Sequence, residues 1–151
     1  MSGWERGARP GTRVGTGLTM LLGATLAHGA HCMVAANSVA FGAYDTFAVS
    51  AADSTGSVAV TCDVAASYSL AIGAGGSGTF SREMASGENR LAYGLFTDAT
   101  RSAVWGDGTG ATARVNGSGL GATHIVYGRV PARQNVRAGS YADALVATVD
   151  F

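Results

Sequence analysis

Lysine is missing altogether: ten arginines supply every positive side chain of the 151 residues, against ten acids, for a formal net charge of zero. The arginines and acids are dispersed singly, so no basic stripe exists to neutralise a run of phosphates, and nucleic-acid binding is not expected. Charged residues reach only 13%, roughly half the usual share. Long apolar runs are also lacking. The one run near the N-terminus, residues 18–26, rises about 1.5 Å per residue and falls well short of a hydrocarbon core of roughly 30 Å. No membrane span is therefore expected once that segment is removed. Proline occurs twice, whereas glycine occurs 23 times. A chain so rich in glycine and so poor in charge folds through tight turns and short apolar segments, which excludes a helical bundle or coiled coil. With 47% apolar residues it is not disordered either.

Residues 1–30 have the makings of a secretory signal. Arg6, Arg9 and Arg13 form a positive start, Leu18 to Leu26 an apolar centre, and small residues follow, with cleavage expected after Ala27, Gly29 or Ala30. His31 stands where a lipidated Cys32 would need a small residue, so a lipoprotein is disfavoured. The expected mature domain, residues 31–151, keeps both cysteines, and export puts them where disulfides persist. A Cys32–Cys62 bond is expected. The alternatives, two free thiols or half a metal site, lack a CxxC pair or a second nearby ligand beyond His31.

The mature chain is punctuated like an all-β protein. Strands are expected at residues 39–44, 57–62, 67–72, 79–84, 91–97, 111–115, 123–127 and 141–151. Tyr68, Leu70 and Ile72 alternate with small residues, as do Leu91, Tyr93 and Leu95. Residues 116–121, Asn-Gly-Ser-Gly-Leu-Gly, look like turn breakers, and Pro131 ends a strand or confines it to an edge. In the last segment Tyr141, Leu145, Val149 and Phe151 share one face. Seven or eight short strands at this spacing indicate an antiparallel sandwich or barrel.

No catalytic constellation stands out. His28 and His31 lie at the expected cleavage region, leaving His124 as the only candidate base in the folded body. One histidine in a strand pattern is far more often a hydrogen-bonded structural residue than a general base. Asp107 sits between two glycines without the run of oxygen ligands that a calcium loop needs. Gly117-x-Gly119-x-Gly121 has no helix after it, so it is no dinucleotide loop. Asp98 and Arg101 are candidates for a local ion pair. Neither an enzyme, a cofactor nor a metal site is expected.

The ordered motifs carry a resemblance. Cys32, Val39-x-Phe41-Gly42-x-Tyr44-Asp45, Gly56-Ser-Val-x-Val-Thr-Cys62, Tyr68-x-Leu70, Arg82-x-Met84, Leu91-x-Tyr93-x-Leu95-Phe96-Thr97-Asp98, Val104-Trp-Gly-Asp-Gly108, Val126-Tyr-Gly-Arg-Val-Pro131 and Ala138-Gly-Ser-Tyr-x-Asp143 resemble the spore coat protein U domain family, which includes subunits of archaic, Csu-type chaperone-usher pili. The likeness covers residues 32–151. It implies an immunoglobulin-like antiparallel β-sandwich lacking its last strand. It also implies a periplasmic pilus chaperone, an outer-membrane usher and neighbouring pilus subunits as partners, with transit through the periplasm to the cell surface and a role in adhesion or biofilm formation.

Tyr141, Leu145, Val149 and Phe151 are the expected chaperone and strand-exchange groove, because a chain stopping inside an apolar strand leaves an unpaired edge. A donor segment of about ten residues spans roughly 33 Å. Cleavage after Ala27 leaves only residues 28–31 before Cys32, so this chain is expected to accept a strand rather than give one. The competing expectation is a self-contained secreted module that recognises a glycan or surface through Trp105, Tyr93 or loop residues.

Overall fold

The computed structural model describes residues 29–151; the expected signal lies outside the described residues up to position 28. Eight strands follow one another: β1 (Cys32–Asn37), β2 (Ala52–Cys62), β3 (Ala66–Ile72), β4 (Arg82–Ser86), β5 (Asn89–Phe96), β6 (Val115–Gly119), β7 (Thr123–Val130) and β8 (Ala147–Asp150). They form a five-stranded sheet ordered β1-β2-β7-β5-β4 and a three-stranded sheet ordered β6-β3-β8. Every strand ladder is antiparallel. The fold is an immunoglobulin-like β-sandwich.

Alternation sets the core. In β2 and β7 the even-numbered residues face inward, so Val58, Val60, Cys62, Val126 and Val130 are buried while their odd neighbours face solvent. Leu91, Tyr93 and Leu95 of β5 oppose Tyr68, Leu70 and Ile72 of β3 across the same core. Trp105 is wholly enclosed, and its indole N–H donates to the Leu70 carbonyl at 3.2 Å, the partner that a buried tryptophan needs.

The two cysteines are bonded, as expected, across the directly opposed pair that joins β1 to β2, with α-carbons 4.1 Å apart. So short a separation marks a pair of the kind that exchanges no backbone hydrogen bonds. Its neighbour is bonded: the Asp63 N–H donates to the His31 carbonyl at 3.0 Å.

Several expected strands are corrected. Residues 39–44 form no strand. They cross the inner face of the large sheet, where Gly56 and Gly128 leave room: a β-carbon would come within 2.8 Å of Val39 at the first and 2.6 Å at the second. The apolar alternation there reflects packing against the core rather than pairing. The segment 116–121 is not simply a breaker, for Asn116 to Gly119 pair with Ala66 to Ser69, and Tyr68 lies where a Gly117 side chain would be. The strand expected at 111–115 begins only at Val115, and the one expected at 79–84 is displaced to Arg82–Ser86. β1 was not anticipated. The last strand is Ala147–Asp150 alone, because residues 141–146 bend away toward β4, where Ala85 and Ala142 form an isolated bridge.

Candidate functional site

The small sheet does not cover the large one. Beyond β3 and β8 the inner face of β5, β7 and β2 is roofed by two irregular segments, residues 38–47 and 136–147, and a trough runs between them. Its deeper part encloses about 460 Å³ over Val58, Ile72, Leu95 and Val126, with Val39 and Phe41 on one bank and Tyr141, Leu145 and Ala147 on the other. A second hollow of about 800 Å³ continues past Leu91 and Val130, and the two share Val39, Phe41, Met84 and Tyr141.

Each bank is held by named bonds. Phe41 sets its ring edge-on to Tyr93 at 6.1 Å. The Tyr44 hydroxyl donates to the Pro131 carbonyl at 2.8 Å and accepts the Gln134 N–H at 2.9 Å. Pro131 ends β7, and the Gln134 side chain then takes over the ladder. Its carbonyl oxygen accepts the Ala92 N–H and its amide donates to the Ala92 carbonyl, both at 2.8 Å. On the other bank Tyr141 donates to the Arg137 carbonyl at 2.7 Å.

Two strand edges border the opening. β1 and β8 lie beside each other at one margin of the sandwich yet belong to different sheets. Val60 and Cys62 donate toward β7, so the odd residues of β2 bond to β1. By the register, Cys32, Val34 and Ala36 then direct their main-chain groups away from β2. The Gly73 N–H donates to the Val146 carbonyl at 2.9 Å, and the same alternation turns the main-chain groups of Ala147 and Val149 away from β3. An outer N–H and C=O row of this kind is a template for another strand.

Polar groups lock one end of the trough. Tyr93 donates to Asp143 at 2.6 Å, and the other carboxylate oxygen accepts the Gly76 N–H at 2.8 Å. Burial, reinforced by the Asp143 bond, pushes the Tyr93 phenol well above its ordinary pKa. Behind them the fully buried Arg82 donates to the carbonyls of Ile72, Gly73 and Trp105 at 2.7–3.0 Å. Burial lowers its pKa, opposed by Tyr93 and Asp143. The guanidinium remains charged, since arginine cannot be deprotonated in proteins. It therefore ties the end of β3, the Trp105 segment and β4 into one unit.

The four residues expected to form the groove divide. Tyr141 and Leu145 line the trough. Val149 lies on β8 and packs partly against the core, and Phe151 is 57% exposed beyond the strand. Sequence reasoning missed the opposite bank, Val39 and Phe41, and the floor residue Met84. Val39 and Phe41 carry a signal in their apolar alternation, but it is the same signal that a strand closed within the fold would give.

Other candidates resolve locally. His124 Nε2 stands 2.9 Å from the Tyr68 hydroxyl with the two rings edge-on; no acid joins them among the described hydrogen bonds. Asp107 accepts the Thr109 N–H at 2.8 Å and its hydroxyl at 2.6 Å, as in a side-chain-capped turn. The Asp98–Arg101 ion pair does not form. Asp98 instead accepts from Thr100, Ser102 and Ala103, while Arg101 reaches Asp53 at 3.4 Å.

Known proteins resemble the chain in sequence and shape. The model of the Spore Coat Protein U domain matches residues 18–148. Protein U of Myxococcus xanthus is 35% identical over 125 residues, covering 74% of this chain and 70% of that protein. A chain in the CsuC-CsuE chaperone-tip adhesion subunit pre-assembly complex from archaic chaperone-usher Csu pili of Acinetobacter baumannii shares the fold, with a TM-score of 0.59 and 20% identity. That match takes in 81% of this chain but only 40% of the other. The family match spans both sheets and nearly every motif quoted above, and on it the chain belongs to the Spore Coat Protein U domain family.

Proposed function

We propose that this chain is a structural subunit of an extracellular fibre or coat that is completed by a strand from another protein. The observation that carries the proposal is the trough itself. An apolar channel floored by the sandwich core opens beside the outward main-chain groups of β1 and β8. An added strand supplies both what the edges need, backbone donors and acceptors, and what the channel needs, alternate apolar side chains. A periplasmic chaperone fills the trough first, an outer-membrane usher exchanges it for a neighbouring subunit's segment, and the fibre serves adhesion or biofilm formation. The Csu pre-assembly complex, a chaperone with a tip adhesion subunit, supports the first of these steps. Residues 1–30 act as the export signal, cleaved near residues 27–30.

The glycan-module alternative loses its two aromatic anchors and keeps only loop residues, because Trp105 is 0% and Tyr93 only 7% exposed. The test is to export the chain with and without a chaperone of the chaperone-usher class. Wild-type chain is expected to co-purify with that chaperone, and Leu145→Arg, which puts a charge in the channel, is expected to lose the complex. A wild-type chain that is stable and monomeric alone, with Leu145→Arg equally stable, defeats the proposal.

A further inference from the structure

One charged side chain looks into the deeper hollow of the trough. Among the described residues that line it, Asp143 alone carries a charge, and Ile72, Met84, Leu95 and Val126 share the lining with it. The carboxylate is held in place from several sides. One oxygen accepts the Tyr93 hydroxyl at 2.6 Å, the other accepts the Gly76 N–H at 2.8 Å, and a side chain at Gly75 would overlap it. The preceding residue is pinned as well, since Ala142 exchanges both main-chain hydrogen bonds with Ala85, at 2.9 and 3.1 Å. A carboxylate fixed in this way does not swing out to follow water when the channel is covered.

Ionised carboxylates offer about four acceptor positions, and bonds within the chain use two of them. In the open trough the half-buried Asp143 has water for the rest. A strand laid over the hollow expels that water. If its inward row is wholly apolar, charged oxygens are left short of donors, which costs more than stranding a neutral group. Protonation gives no escape, because Arg82 stands behind. Burial disfavours the charge of that guanidinium, whereas Tyr93 and Asp143 favour it, so the guanidinium in turn favours the ionised acid. Its charge is not spent elsewhere. Among the described residues no carboxylate lies within ion-pair distance of the wholly buried Arg82, and its Nη1 has no hydrogen-bond partner.

We infer that Asp143 selects the strand this chain accepts: at the inward position facing it, the strand carries a neutral hydrogen-bond donor, a serine or threonine hydroxyl, in an otherwise apolar row. An acid at that position is repelled by the carboxylate. A cation there duplicates the charge that Arg82 already supplies and is itself taken out of water. The inference rests on the trough being the seat of an added strand, and it says which strands fit.

The test uses synthetic peptides of about ten residues, with valine at every inward position and serine at every outward one. Threonine then replaces one inward valine at a time; both residues are branched at the β-carbon, so the hydroxyl is the main difference. The full exported chain, its disulfide intact, is diluted from urea into each peptide, and half-saturation is read by native mass spectrometry. One threonine peptide is expected to bind about tenfold more tightly than the all-valine peptide, the gain from one hydrogen bond to a charged group. Aspartate at the same position should bind at least tenfold more weakly. Asp143→Asn keeps an oxygen for the Tyr93 hydroxyl; it should bind the all-valine peptide at least as tightly as wild type, which shows that it folds, and should lose the discrimination against aspartate. Threonine peptides that never outbind the all-valine peptide overturn the inference while the strand-accepting trough stands. A preference for arginine over threonine, or an aspartate peptide that wild type and Asp143→Asn bind alike, overturns it too. A wild-type chain that binds none of the peptides brings down both readings.

Discussion

Removing the Cys32–Cys62 bond should cost this domain a large part of its stability. The bond closes 30 residues of sequence separation, and the loop-entropy relation values that closure at about 3.6 kcal/mol at 25 °C. Cys62 is buried against the core, so replacing both residues by alanine adds a small void whose cost is about 1 kcal/mol or less. For a domain of about 120 residues, unfolding entropy near the melting point converts 3.6 kcal/mol into a drop of about 14 °C. The assay is urea and thermal unfolding of wild type and the double alanine variant, each bound to the same completing partner. Because β1 has a neighbour on one side only, the loss should also be local. The amides of Met33 and Ala35, which face β2 by the register, should lose hydrogen-exchange protection before those of β7. A stability loss below about 1 kcal/mol, with β1 protection unchanged, would refute the view that the bond holds the β1 edge of the opening.

Three further outcomes follow from named contacts. Gly128→Val places a side chain where Val39 and Phe41 already lie; it should destabilise by about 1–3 kcal/mol and weaken chaperone capture, as read by melting and co-purification. Gln134→Ala leaves the Ala92 N–H and C=O without their side-chain partner; a loss of about 1–2 kcal/mol is expected in urea unfolding, and exchange at the Ala92 amide should quicken. Asp98 is held well below the ordinary carboxylate range, first by the Thr100 hydroxyl and then by the Ala103 N–H. Its stabilisation is present above the unfolded pKa near 4 and drains as pH falls toward the folded value. Melting temperatures recorded down an acid series should therefore fall less steeply for Asp98→Asn than for wild type; parallel curves would show that the loop contributes nothing.

How much of this was legible in the sequence depends on the distance over which each signal acts. Alternation is local, so the inward rows of β3 and β5, with the buried Tyr93 and Leu95, could be read directly, whereas in β7 the alternation of 123–127 did not say that Val126 rather than Ile125 faces inward. The disulfide was legible because export and a pair of cysteines suffice to expect it. Residues 39–44 misled for a physical reason: the periodicity that places Val39 and Phe41 on one side is the same whether their backbone pairs with a strand or merely lies across Gly128. The Asn116–Gly119 stretch misled in the opposite direction. Its glycines look like turn residues, yet Gly117 is where Tyr68 needs space, and a contact made by pairing with a distant strand leaves no mark in a short window.

The sequence by itself determined an antiparallel all-β chain with bonded cysteines, because burial alternation and redox chemistry act residue by residue; the sandwich rather than a barrel came with the family resemblance. It also determined the family, through many short motifs in fixed order. Only the tertiary structure decided that the trough has Val39 and Phe41 as its second bank and that Phe151 stands outside it. Those features depend on which strands lie side by side and in what register. Each pairing is settled by the summed packing of two sheets and by no single segment.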